Sequence, residues 1–143
     1  MKSVKIGNSI TECIRITVTG YERESNREFY GSNWINVIVD ISSGKFSGSI
    51  NASMLTFEFV DFNKQLKVLY QNLKGQAKFE TIEGQLELTL VGNSSGGIEL
   101  TGVMCDNTSY GNKLMFEMSL DQTYLPSVIS ELDALSAEYY VRE

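Results

Sequence analysis

The sequence predicts an α+β fold: an antiparallel, meander-rich β-sheet of about seven or eight strands with two helices, near 61–74 and 124–140, packed on one face. Three observations lead there. Apolar and polar residues alternate along most of the chain, the period of a half-buried strand. Two stretches switch to the 3.6-residue period of a helix. Nowhere do strand and helix alternate as they do in a parallel sheet.

Taken in order, residues 13–19 put Ile14, Ile16 and Val18 on one side and Arg15, Thr17 and Thr19 on the other. Residues 21–33 carry Glu22, Arg23, Glu24, Arg27 and Glu28 and read as a loop. Residues 34–41 are apolar and rich in β-branched side chains, as in a central strand. The turn Ser42-Ser43-Gly44 then leads into a further strand at 45–55. Asp61 is placed to cap a helix whose apolar face is Phe62, Leu66, Leu69, Tyr70 and Leu73. Gly75 supplies its stop. Four alternating strands follow, with Ala77 and Phe79, Leu86 to Leu90, Ile98 and Leu100, and Leu114 to Leu120 facing inward. Their connections, with Gly84, residues 92–97 and Asp106-Asn107, have turn chemistry. Thr123 is placed to cap the last helix, and Pro126 falls in its first turn, where a missing N–H costs nothing. Leu125, Val128, Ile129, Leu132, Leu135 and Tyr139 form its apolar stripe. No linker or repeat is legible.

A chain of 143 residues fits one domain, 1–143, and can bury a core without staples. The 42% apolar and 10% aromatic content is that of a globular protein. No apolar window is long enough to span a bilayer, and residues 1–8 turn polar too soon for a signal-peptide core, so a cytoplasmic protein is expected. Cys13 and Cys105 have no metal-type spacing, and free thiols are expected in a reducing compartment.

Histidine is absent, which removes the commonest general base, zinc ligand and nucleophile partner. No paired-carboxylate cluster replaces it. Asp106-Asn107-Thr108 and Asp121-Gln122 offer too few oxygens for a metal and suit turns better. The run Gly92-Asn93-Ser94-Ser95-Gly96-Gly97 lacks the following helix and Lys-Ser/Thr of a phosphate loop, so a mobile hairpin tip is expected. No catalytic residue, cofactor or metal is expected, and the chain reads as a binding protein rather than an enzyme.

Net charge is −6, against a nucleic-acid partner, for which a basic footprint is expected. The distribution says more than the total. Residues 79–143 hold eleven acids and two bases, or −9, whereas residues 1–78 hold seven acids and ten bases, or +3. If the apolar positions of the later strands face the helices, Glu80, Glu87, Glu99 and Glu117 share the opposite face, with Asp121 at its end. Such a band would attract a basic partner. An ordinary solvated sheet face explains the same pattern about as well. Trp34 with Tyr21, Phe29 and Tyr30 could border a contact site, although a lone Trp is more often a core anchor.

The segment Gly31-Ser32-Asn33-Trp34-Ile35-Asn36-Val37-Ile38-Val39, the strand at 46–55 and the helix with Glu58, Leu66, Leu69 and Leu73 resemble the WapI-type immunity proteins. So do Leu86-Glu87-Leu88-Thr89-Leu90, Gly97-Ile98-Glu99-Leu100, Leu114-Met115-Phe116-Glu117 and the join Asp121-Gln122-Thr123-Tyr124-Leu125-Pro126. The resemblance runs from about residue 16 to 139. It implies a non-catalytic protein that binds the C-terminal domain of a polymorphic, contact-dependent toxin in the cytosol; in the namesake system that toxin is a nuclease acting on transfer RNA. The mixed-charge loop at 21–30 departs from typical relatives and leaves the toxin open. A small-ligand or carbohydrate-binding domain and a general interaction module are the competing readings. A homo-oligomer through open sheet edges is allowed but not required.

Overall fold

Among the described residues eight strands form, and they divide into two sheets rather than one. The computed structural model describes residues 1–25, 28–108 and 110–143. In the first half β1 (Lys2–Ser9), β2 (Glu12–Tyr21), β3 (Trp34–Ser43) and β4 (Phe46–Leu55) pair antiparallel in that order. In the second, β5 (Lys74–Phe79), β6 (Leu86–Asn93), β7 (Gly97–Cys105) and β8 (Lys113–Asp121) do the same. The antiparallel α+β class is as expected; the single sheet with both helices on one face is not.

Three helices are present among the described residues, not two: α1 (Phe29–Asn33), α2 (Thr56–Asn72) and α3 (Leu125–Glu138), the last entered through a 3-10 turn at Gln122–Tyr124. The short α1 sits inside the expected loop at 21–33, of which Asn26 and Arg27 lie outside the described residues.

Helix α2 starts at Thr56, five residues before the expected Asp61 cap. The Glu58 carboxylate accepts the Leu55 N–H at 2.7 Å and so satisfies one free donor of the first turn. Phe59 is then available to the core alongside Phe62, Leu66 and Leu69. Asp61, one turn in, instead accepts from Gln65 Nε2 at 2.8 Å. At the other end it is Leu73, not Gly75, that takes the left-handed conformation ending the helix (φ 60°), because β5 begins at the next residue. The last helix also differs in detail. Asp121, not Thr123, is the cap, accepting the Thr123 N–H at 2.8 Å, while Pro126 lies in the first turn of α3 as expected.

Residues 1–8, too polar for a signal-peptide core, carry a strand that the alternation did not assign: Val4 and Ile6 are each 1% exposed and make β1 inward-facing. Alternation carries the remaining strands: Ile14, Ile16 and Val18 of β2, and Leu86, Leu88 and Leu90 of β6, are all buried. One contiguous core joins both sheets and the helix stripes Phe59, Phe62, Leu66, Leu69 and Leu125, Val128, Leu132, Leu135. At one end the inner faces touch directly, because Gly48 of β4 has no side chain and lets the Met104 methyl of β7 approach.

The same order of elements runs twice, four meandering strands and then a long helix, although no repeat is legible in the residues. Each long helix packs on the first strand of the other unit: α2 on β5, α3 on β1, and the two helices on each other. Each also occupies that strand's open edge. Gln65 of α2 accepts from the Lys78 N–H at 2.8 Å and donates to the Lys78 carbonyl at 3.1 Å. Glu131 of α3 accepts the Lys5 N–H at 2.9 Å.

Candidate functional site

The second sheet brings the expected carboxylates together. Its strands are neighbours in sequence order, and the inward set Leu88, Leu100 and Phe116 leaves Glu87, Glu99 and Glu117 exposed on the opposite face. They do not form a straight row. Register places Glu87 across from Val103 and Val103 from Met115; Thr101 lies between Thr89 and Glu117; Glu99 lies between Val91 and Ser119. The three carboxylates are therefore staggered about Thr101, one in each row, and Val103 and the 77% exposed Met115 lie at one end, in the row of Glu87. Glu87, Thr89, Thr101, Val103, Met115 and Glu117 line an open concavity of about 530 Å³, with Ser43 of the β3–β4 hairpin at its rim.

Glu80 is exposed and follows β5 one step beyond the Phe79–Leu88 pair, level with Glu87. Lys78 and Lys113 lie on the same side by strand parity and offset part of the charge. The Glu99 carboxylate accepts from Ser119 Oγ at 2.9 Å across the strands. Asp121 closes β8, and hydrogen bonds from the Thr123 hydroxyl and N–H hold its carboxyl below the ordinary range. Its capping role accounts for that residue.

The aromatic residues divide in a way the sequence did not indicate. Tyr30 is 53% and Phe29 45% exposed, and their rings meet that of Phe57 at the start of α2. The Phe29 and Phe57 rings stack at 5.2 Å. Trp34 opens β3, half-buried, on the side opposite to inward-facing Ile35. Tyr21 belongs elsewhere. A bulge between Val18 and Gly20 shifts the register and turns Tyr21 inward, against Tyr139 at 5.7 Å and Tyr140 at 6.3 Å. The Arg142 guanidinium lies over the Tyr21 ring at 3.4 Å, a cation–π contact. Burial pushes the Tyr21 hydroxyl up, with Arg142 opposing.

The run at 92–97 is a tight β6–β7 hairpin in which Asn93 Oδ1 accepts from Ser95 N at 2.9 Å and Gly97 N at 3.0 Å. It leads into a strand, so its amides serve the turn rather than a helix start. Cys13 and Cys105 are both free thiols. Among the described residues no three His, Cys, Asp or Glu side chains gather as metal ligands would, and no helix is long and apolar enough to cross a membrane. A groove of about 410 Å³ between α2 and α3 is lined by Lys67, Tyr70, Pro126, Ile129 and Asp133, with Lys67 and Asp133 paired at 3.1 Å.

Two packed four-stranded antiparallel sheets with two long helices, and an open charged face on the second sheet, define an α+β class of molecule. The family is specific. The chain belongs to the immunity protein WapI-like family, whose model matches residues 5–140. No curated protein matches it. Membership of an immunity family implies a toxin protein as partner and favours a binding role over a catalytic one.

Proposed function

We infer that the protein is a non-catalytic immunity protein that binds the C-terminal domain of a cognate contact-dependent toxin in the cytosol and neutralises it. Its contact surface in this reading is the outer face of the second sheet. One observation carries it: Glu87, Glu99 and Glu117, from three adjacent strands, are exposed on one face and staggered about Thr101, with the exposed Met115 beside them. Protein interfaces combine exposed apolar side chains such as Met115 with polar and charged neighbours. The carboxylates supply long-range attraction to a basic partner. A nuclease toxin, with a groove that binds phosphates, fits that chemistry, and the carboxylates would take the place of the phosphates they exclude.

The test is co-expression and binding with the toxin domain, using Glu87→Lys, Glu99→Lys and Glu117→Lys together. All three side chains are exposed, so the fold is expected to survive. Association should slow and protection weaken, most of all at low salt. Unchanged association and protection would refute this face as the contact. The aromatic cluster of Phe29, Tyr30 and Phe57, with Trp34 nearby in the chain, is the second contact reading, favoured by its stacked, half-exposed rings.

A further inference from the structure

Among the described residues the two sheets have four edges, and side chains from elsewhere in the fold meet three of them within the strand. The β1 edge is met by Glu131 and the β5 edge by Gln65, as described above. On the β8 edge, Asn8 Nδ2 donates to the Ser119 carbonyl at 3.2 Å. The β4 edge differs. Among the described residues, its only backbone group held by a side chain is the Leu55 N–H, at the helix junction. An edge strand leaves alternate N–H and C=O groups unpaired, a template for another strand. Natural edges are normally blunted by charge, proline or a bulge. The ten residues of β4, Phe-Ser-Gly-Ser-Ile-Asn-Ala-Ser-Met-Leu, contain no charge and no proline, and their pairing with β3 runs without a bulge.

We propose that the free edge of β4 over residues 46–50 is a self-association surface, on which a second copy of this chain adds its own β4 antiparallel. The strand is complementary to itself. Pairing centred on Gly48 sets Phe46 of one copy across from Ile50 of the other, and Ser47 across from Ser49. Phe46 is 70% exposed and Ile50 half-buried against the core, so the pair covers apolar surface now open to water. The serines face each other on the outer side as neutral hydroxyls. The chain carries −6 overall, yet no like charges oppose one another in this register. Two-fold symmetry repeats every contact, and the two four-stranded sheets become one of eight. A charged toxin surface has no complement on this neutral strand, and a second copy does. An interface of two short strands is small, so the dimer forms reversibly with concentration.

The test measures mass by sedimentation or light scattering over a concentration series of the full chain. Mass should rise from 16.0 kDa toward twice that value. Ser47→Lys with Ser49→Lys opposes lysines across the two-fold and should hold the chain at 16.0 kDa, with unchanged circular dichroism. Ser47→Thr with Ser49→Thr should keep the dimer and shows that an altered side chain alone does not break it. A mass of 16.0 kDa at every concentration overturns the proposal, as does a dimer that survives the lysine pair. A monomer whose lysine variant loses toxin binding also overturns it, and assigns the edge to a strand of the toxin instead.

Discussion

The side chain of Asn33 holds both backbone polar groups of Arg142, 109 residues away: Nδ2 donates to the Arg142 carbonyl at 2.8 Å, and Oδ1 accepts its N–H at 2.8 Å. The same carboxamide donates to the Phe29 carbonyl at 2.8 Å and accepts the Thr56 hydroxyl at 2.6 Å. Asn33 is fully buried, and all of its hydrogen-bonding capacity is used. One side chain thus fastens α1, the start of α2 and the C-terminal tail at a single point.

Replacing Asn33 with Ala leaves several buried polar groups without partners, a loss of about 2–4 kcal/mol in urea unfolding. Asn33→Asp should be at least as damaging, because its carboxylate would face the Phe29 and Arg142 carbonyls. In either variant the Arg142 amide should exchange with solvent faster, and protease should cut the tail sooner. An Arg142 amide that stayed protected would show that Tyr21 and Tyr139 hold the tail alone.

Glu58 links the α2 start to the turn after β5, accepting from Leu55 N at 2.7 Å and Ile82 N at 2.6 Å. Burial pushes its carboxyl above the ordinary range, with those two N–H groups opposing and Glu83 adding to the rise. A folded pKa above the unfolded one means the folded chain holds the proton more tightly. That contribution is complete below the unfolded pKa and is lost as pH rises through the folded one. Relative to Glu58→Gln, the wild type should therefore lose stability as pH climbs through the range just above ordinary carboxylate values. Denaturant titrations at a series of pH values read this, and a difference that rises with pH contradicts it. At neutral pH the variant should also lose about 1 kcal/mol, since one carbonyl must replace two oxygens.

Gly102 lies beneath the Phe116 ring in the second sheet, and a Cβ there would collide with that ring and with Leu88. Gly102→Ala should cost about 1–3 kcal/mol through overpacking. Both residues border the outer-face concavity, so binding should weaken alongside the fall in melting temperature. Intact stability would show that Phe116 moves freely aside.

Gln65→Ala removes the side chain that occupies both backbone groups of Lys78 on the β5 edge. About 1–2 kcal/mol should be lost, with faster hydrogen exchange at Lys78. The variant should also aggregate more readily on heating than the wild type, because a guarded edge has been opened. Light scattering during a thermal ramp reads the difference.

Much of this was legible in the residues. Alternation at 13–19, 86–90, 98–101 and 113–120 assigned both the strands and their faces, because a side-chain period of two ties sequence directly to orientation. Glu87, Glu99 and Glu117 could be placed on one face for that reason. The α2 start was not legible. Asp61 looks like a cap, and only the reach of Glu58 to the Leu55 N–H moves the boundary to Thr56. Tyr21 parts from the other aromatics because a bulge at 18–20 reverses parity, a shift for which Gly20 was the one signal in the residues.

By itself the sequence determined the local order: which residues alternate, where the two long helices lie, and that the acids gather in the second half. Tertiary structure decided how many sheets those strands make, which edges are guarded and which aromatic rings meet. Period and propensity act between neighbours along the chain and are written in each segment. Sheet division and edge protection depend on contacts such as Gln65 with Lys78, Glu131 with Lys5 and Asn33 with Arg142. Such pairs form only once the whole chain has packed, and no local pattern announces them.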